Sequence, residues 1–260
     1  MGLLDGARAV VTGAGSGIGR ETCLQFVAHG ARVVALDIDG DAARSVAQEI
    51  GGEPAVADVA DREALEAAVQ RAVELLGGLT ILVNNAGVGS MKPLHQYEDS
   101  EYDRVVDASL RGTFNGIGVA APLMVAGGGG SIVNMSSVSG MRSTRGEAPY
   151  SAAKAGVIAL TQSGALEYAP TVRVNCVSPG LIDTPLTAAL FHDGEARRGF
   201  DRNTPLGRVG TAADVAGVIV FLCSDLAAYV TGVNLPVEGG SLLASAQMDA
   251  TFAAILSLFQ

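Results

Sequence analysis

The chain of 260 residues is long enough for one large α/β domain or two small ones, and its 48% hydrophobic content allows a sizeable core. A net charge of −10, from 17 basic and 27 acidic residues, argues against a nucleic-acid partner and against an anionic membrane surface.

A short apolar run at 7–12 meets a glycine-rich stretch at 13–19, and residues 20–29 carry helical periodicity through Cys23, Phe26 and Val27. A second apolar run at 32–36 ends at Asp37. A helix follows at 41–50, with Asp41 near its N-cap, then a short strand at 54–59 that ends on Asp58-Val59. The helix expected at 61–76 is stopped by Gly77-Gly78, and a strand at 80–83 leads into Asn84-Asn85-Ala86-Gly87. A long helical stretch at 100–125 is weakened by Gly112, Gly116 and Gly118. A strand at 131–135 opens onto Ser136-Ser137, and a helix carrying Tyr150 and Lys154 runs to about 168. A strand at 172–177 precedes Ser178-Pro179-Gly180. Residues 184–203 are polar, helical in places and without a strand signal. A helix at 212–222, a last strand at 232–237 and an apolar tail at 241–260 complete the chain.

Strand and helix alternate throughout, which predicts an α/β fold: one doubly wound parallel sheet with helices on both faces. Nothing resembling a linker divides the chain, so residues 1–260 are expected to form a single domain. Cys23, Cys176 and Cys223 lie far apart in apolar runs and read as buried free thiols of a reducing compartment. With no signal-peptide pattern at the N-terminus and no run of 18 apolar residues, a cytoplasmic protein is expected. His29, His95 and His192 are scattered, so no metal site is expected.

Tyr150 and Lys154 stand four residues apart and share one helix face. A nearby ammonium favours phenolate over phenol, and a shift of about 2 to 3 units would make the tyrosine a usable acid/base near neutral pH. Taken alone, the pair reads equally well as exposed helical neighbours. The stretch Gly13-Ala14-Gly15-Ser16-Gly17-Ile18-Gly19 adds the context of a phosphate-binding turn. Its glycines let the backbone approach a pyrophosphate, and the helix N-terminus offers it free N–H groups. Asp37, at the end of the second strand, suits both ribose hydroxyls of an adenosine and repels a 2′-phosphate, which favours NAD over NADP. Asp58-Val59 suits an adenine or a turn. Asn85, Ala86 and Gly87 leave room for a ribose and nicotinamide or form a turn. Ser137, at a strand's carboxyl end, suits a substrate oxygen.

With Thr12-Gly13-x3-Gly17-x-Gly19, Asn84-Asn85-Ala86-Gly87, Ser137, Tyr150-x3-Lys154, Pro179-Gly180 and Thr184, the chain resembles the short-chain dehydrogenase/reductase family from residue 5 to about 240. The resemblance implies a Rossmann-type sheet of seven parallel strands in the order 3-2-1-4-5-6-7. It also implies that Tyr150 is the catalytic acid/base, that Lys154 binds the nicotinamide ribose and lowers the tyrosine pKa, and that Ser137 orients the substrate. Ile182 and Thr184 would touch the carboxamide, and residues 185–203 would form a substrate lid. A homotetramer is also implied. Ser109 departs from the family, which usually has an Asn there that holds a water linking Lys154 to solvent. A serine is shorter and could bond back to its own helix, leaving a second water to fill the gap or the relay impaired.

The function expected is NAD-dependent interconversion of a secondary alcohol and a ketone, with an alicyclic or steroid-like alcohol favoured over a sugar or polyol. The alternatives are a 3-oxoacyl thioester reductase and a non-enzymatic NAD-binding sensor. Met91, Met141, Leu181, Leu186 and Phe191 are candidates for an apolar pocket. Arg142, Arg145, Arg197, Arg198 and Arg202 are read as solvated charge that would otherwise meet a carboxylate or acyl-carrier phosphate.

Overall fold

The computed structural model describes residues 2–191 and 194–243, so most of the expected tail at 241–260 lies outside the described residues. The elements alternate as their sequence periods require. β1 (Arg8–Thr12) leads into α1 (Gly17–Ala28), β2 (Arg32–Asp37) into α2 (Gly40–Ile50), and β3 (Glu53–Val56) into α3 (Arg62–Leu76). After β4 (Ile81–Asn84), α4 (Asp99–Val106) continues through a π turn at Asp107–Arg111 into α5 (Gly112–Ala126). β5 (Gly130–Met135) gives way to the single turn α6 (Val138–Met141) and then to α7 (Ala148–Tyr168). β6 (Val172–Pro179) precedes β7 (Ile182–Asp183), α8 (Gly194–Asn203) and β8 (Gly210–Thr211). α9 (Ala212–Cys223) and β9 (Asn234–Val237) follow.

Seven strands form one parallel sheet in the order β3-β2-β1-β4-β5-β6-β9. This is the expected order, with β9 as the seventh strand of the sheet. Side chains of β1 alternate between two cores, as the two-residue strand period demands. Ala9 and Val11 join Phe26 of α1 and Ile219 of α9 on one face, whereas Val10 joins Leu65 of α3 and Ile117 of α5 on the other. On α3, Leu65, Val69, Ala72 and Leu76 recur at helical spacing and are at most 4% exposed. Each large side chain so buried stabilises the fold by about 1.5 to 3 kcal/mol.

Four local features differ from the sequence expectation. The N-cap of α2 is Asp39, whose carboxylate accepts from Asp41 and Ala42 N–H, so the helix starts before Asp41. β3 ends at Val56, leaving Asp58 and Val59 in the turn beyond it. The Asp58 carboxylate accepts from Ala60 N at 2.9 Å, a local bond that competes with strand pairing. The helix expected across 100–125 is interrupted by the π turn. Its next residue, Gly112, lies so close to Val59 that a Cβ there would fall 2.5 Å from Val59 Cγ2. Finally, β7 and β8 pair with each other outside the main sheet. A Cβ on Gly210 would lie 2.4 Å from Ile182 Cδ1, so a glycine permits that approach.

Among the described residues, no helix is long and apolar enough to cross a membrane, and no group of three or more metal-ligating side chains occurs. The strand order reverses between β1 and β4. That reversal opens a crevice at the carboxyl ends of the strands, the usual ligand position in such sheets.

Candidate active site

The loop between β1 and α1 forms one wall of the crevice. Gly13 and Gly17 have φ of 62° and 53°, in the left-handed region that favours glycine. Gly19 packs beneath the loop, where a Cβ would stand 2.1 Å from Gly13 O. Asn85 clamps the same loop, its Nδ2 donating to Thr12 O at 2.9 Å and to Gly13 O at 3.0 Å. Thr12 Oγ1 in turn accepts from the N–H groups of Asn85 and Ala86. Ser16 caps α1 without a side-chain hydrogen bond, and the first turn holds no acid. The N–H groups there remain available to an anion, so the loop fits a pyrophosphate.

Asp37 closes β2. Its Oδ2 accepts from Gly15 N at 2.8 Å and its Oδ1 from Asp39 N at 3.0 Å. Each oxygen keeps accepting capacity, so the oriented carboxylate can still receive hydroxyls.

The opposite wall comes from β5, α6 and α7. The i, i+4 spacing on α7 sets Lys154 Nζ 5.5 Å from the centroid of the Tyr150 ring. Lys154 is 3% exposed and donates to Met135 O at 2.8 Å. Ser136 Oγ donates to Lys154 O at 2.8 Å, tying the end of β5 to α7. Ser137 caps α6, and its Oγ accepts from Ser139 N at 3.1 Å.

The proton affinities differ from the sequence expectation. Burial pushes the Tyr150 phenol up to about 12; the Ser137 hydroxyl opposes the rise and the charge of Glu147 adds to it. Burial also draws Lys154 down to about 8, with the Cys176 thiol opposing. Loss of hydration penalises the phenolate, and at the pH where the phenol would ionise Lys154, drawn down to about 8, is itself neutral and cannot offset that penalty.

Ser109 sits in the π turn and is fully buried. Its carbonyl accepts from Thr113 Oγ1 at 2.7 Å, but its own Oγ has no hydrogen-bond partner among the described residues. The bond back to the preceding turn that a serine could make is therefore absent. A Cβ built on Gly87 would lie 3.2 Å from both Ser109 Oγ and Lys154 Nζ, so the two groups face the same small gap.

These walls enclose a cavity of about 1460 Å³. All the predicted site residues line it except Gly19, beneath the loop, and Ser109, behind Lys154. Met91, Leu181 and Leu186 also line it, whereas Met141 and Phe191 do not. Met141 is 46% exposed, and Phe191 packs edge-on against Phe200 beneath Arg197. None of Arg142, Arg145, Arg197, Arg198 or Arg202 lines the cavity. The sequence reading missed Glu147 and Glu238, two carboxylates that do. For Glu147 a signal existed: it stands three residues before Tyr150, on the same face of the helix start.

The family model described as enoyl-(acyl carrier protein) reductase matches residues 13–241. A 3-oxoacyl-(acyl-carrier-protein) reductase of Thermotoga maritima is 39% identical over 246 residues, covering 92% of this chain and 99% of its own. The chain belongs to the short-chain dehydrogenase/reductase family. A second relative in the family, the cyclohexanol dehydrogenase of an Acinetobacter species, is 40% identical over 238 residues, covering 89% of this chain and 93% of its own. The fold agrees with that of a solved family structure, a gluconate 5-dehydrogenase of Burkholderia cenocepacia in complex with NADP and tartrate. The TM-score is 0.89 at 33% identity, covering 93% of this chain and 97% of that one. Short-chain dehydrogenases/reductases are oxidoreductases that use a nicotinamide cofactor, so the two walls of the cavity belong to such an enzyme.

Proposed function

We propose that the chain is an NAD-dependent oxidoreductase that interconverts a secondary alcohol and a ketone, with Tyr150 as acid/base and an alicyclic alcohol as the favoured substrate. The observation that carries this reading is a single cavity with the glycine loop and Asp37 on one side and Ser137, Tyr150 and Lys154 on the other. The backbone of Gly13, Ser16, Gly17 and Ile18 would hold the pyrophosphate, with Gly19 keeping the loop close to α1. Asp37 would take the adenosine ribose, and Asp58 and Val59 the adenine. Asn85, Ala86 and Gly87 would border the nicotinamide ribose, which Lys154 would bind. Pro179, Gly180, Ile182 and Thr184 would border the carboxamide.

Bound there, NAD supplies the acceptor for the hydride that leaves the carbinol carbon. Ser137 holds the substrate oxygen, and the Tyr150 phenolate removes the hydroxyl proton. In the reverse direction the Tyr150 phenol returns that proton to the ketone oxygen. We assign Ser109 to the path by which this proton reaches solvent. Its unpartnered Oγ shares a gap with Lys154 Nζ, and water there would link the two. Since Ser109 already offers a hydroxyl, Ser109→Asn is expected to change kcat by less than about tenfold, or roughly 1.4 kcal/mol in the barrier. A hundredfold change in turnover would refute the assignment.

The choice of NAD rests on Asp37, whose charge opposes a 2′-phosphate; the gluconate 5-dehydrogenase relative was seen with NADP. The test is a screen of secondary alcohols with each cofactor, read by the absorbance of the reduced nicotinamide. NAD is expected to be preferred by about tenfold or more. Equal use of NADP, or no turnover with any alcohol, counts against the reading.

A second reading, 3-oxoacyl thioester reductase, is favoured by the Thermotoga maritima relative. An acetoacetyl thioester reduced faster than any ketone of the panel would select it. The non-enzymatic sensor keeps little support, since the Ser137, Tyr150 and Lys154 set is complete. Residues 185–203 serve as the lid, with Leu186 and Phe200 towards the cavity. For the assembly we retain a homotetramer in the cytoplasm, with Phe114 on α5 and Leu166 on α7, 53% and 84% exposed, as apolar contact points. A mass of one chain by light scattering would overturn the tetramer.

A further inference from the structure

The substrate end of the cavity holds a carboxylate that the reaction above does not use. Glu147 is the N-cap residue of α7, yet its side chain makes no capping bond. One oxygen, Oε2, accepts from Ser139 Oγ at 2.8 Å; the other has no partner among the described residues. Ser139 in turn binds Ser137 through its N–H at 3.1 Å and lies 3.1 Å from Thr144 Oγ1 through its hydroxyl. Ser137, Ser139, Thr144, Glu147 and Tyr150 all line the same cavity. Hydrogen bonds through Ser139 therefore connect the serine beside the reacting oxygen to a carboxylate, one helical turn before Tyr150, whose second oxygen is free.

Among the described residues, six carboxylates, Asp37, Asp58, Asp107, Glu147, Asp214 and Glu238, line the cavity against three cations. The cations lining the cavity are Arg104, Lys154 and Arg208. Arg208 is held by both oxygens of Asp214 at 2.7 Å, and Lys154 is bonded to Met135 O. Of the Glu238 carboxylate, one oxygen is held by Ser241 Oγ and Leu242 N. A substrate carboxylate near Glu147 would meet like charge in a partly dehydrated space, whereas a hydroxyl would donate to it.

We infer that Glu147 is a specificity-determining residue whose free oxygen accepts a second hydroxyl, on the carbon next to the one oxidised. The substrate class is then an alicyclic vicinal diol, with no anionic group at that end. This rests on the dehydrogenase reading of the site and narrows it from alicyclic alcohols in general to those with a neighbouring hydroxyl.

Cyclohexanol and trans-cyclohexane-1,2-diol, compared in the wild type and in Glu147→Gln, test the inference. The wild type should prefer the diol by about tenfold or more in kcat/KM, as expected for a hydrogen bond to a charged group. Glu147→Gln should remove that preference, leaving kcat/KM for the two alcohols within about threefold of each other. Its oxidation profile should also move to lower pH, because the Glu147 charge no longer opposes the phenolate. Equal losses for both alcohols, or an unchanged diol preference, overturn the inference. Calorimetric titration of both alcohols into the protein saturated with NADH, which cannot accept a hydride from them, gives a readout free of turnover. Tighter diol binding that depends on Glu147, without any oxidation when NAD is supplied, keeps the diol site and removes the dehydrogenase reading. Equal binding of the two alcohols to the wild type removes the diol site.

Discussion

Replacing Tyr150 by phenylalanine is expected to lower kcat/KM for alcohol oxidation about 1000-fold, roughly 4 kcal/mol in the barrier, while NAD affinity changes less than about threefold. The substitution removes one oxygen and keeps the ring against Lys154, 5.5 Å from its Nζ, so the helix and the cavity wall survive. The pH profile carries further information. With the phenol pushed up to about 12, little phenolate exists at neutral pH, and oxidation should speed up as pH rises from 7. Above about pH 8, Lys154 loses its proton and no longer offsets the phenolate, so the rise should become shallower. Ketone reduction draws on the phenol, abundant throughout this range, and should depend on pH far less. Steady-state kinetics in both directions, with NAD binding followed by fluorescence, check the set. Undiminished turnover in Tyr150→Phe would remove Tyr150 from the chemistry, and loss of NAD binding as well as turnover would make it structural.

Replacing Lys154 by methionine should do two opposite things: lower activity at least about 100-fold, and make the ligand-free protein more stable at neutral pH. Burial lowers the Lys154 pKa from 10.5 to about 8, so the folded state disfavours the ammonium by about 3 kcal/mol. Methionine has similar length and no charge, but leaves Met135 O without its 2.8 Å bond, at a cost of about 1 kcal/mol. The net gain is about 2 kcal/mol, or a Tm higher by about 5 °C. Its pH dependence has a definite sign. Below pH 8 both folded and unfolded wild-type chains hold the proton, and the penalty is complete. Between pH 8 and 10.5 the unfolded chain holds more protons than the folded one, so wild-type stability rises with pH. The advantage of the methionine variant should therefore shrink across that interval. Thermal melts at pH 7 and pH 10 check it; a variant less stable than wild type at pH 7 would contradict the account of Lys154 as a strained buried cation.

Both expectations concern residues that the sequence places in view, yet their sign comes from burial. Tyr150 and Lys154 share a face by helical spacing alone, which suggests a phenol made acidic by its neighbour. In the folded chain Lys154, on α7, lies 3% exposed against the end of β5, and burial shifts the proton affinities of both side chains. The same contrast holds at Ser109. Its place before Leu110-Arg111-Gly112 is legible, but the π turn that aims its hydroxyl at the gap beside Lys154 is not. That turn accompanies the approach of α5 to Val59, more than fifty residues earlier in the chain. Asp39, not Asp41, caps α2, and an Asx turn at Asp58 ends β3 early. Such choices between adjacent donors and acceptors lie below what residue patterns resolve.

By itself, the sequence determined the alternation of strands and helices, the seven-strand order implied by the family resemblance, and a set of cofactor and catalytic positions nearly all of which line the cavity. These depend on side-chain period, on glycines at left-handed backbone positions and on the spacing of groups along one helix, all properties of near neighbours in the chain. Only the tertiary structure decided that Glu147 and Glu238 line the cavity while Arg142, Arg145, Arg198 and Arg202 do not. It alone decided that Tyr150 holds its proton tightly and that Ser109 keeps a free hydroxyl. The reason is physical: hydration, local field and the direction of a side chain are set by atoms brought together from distant parts of the chain.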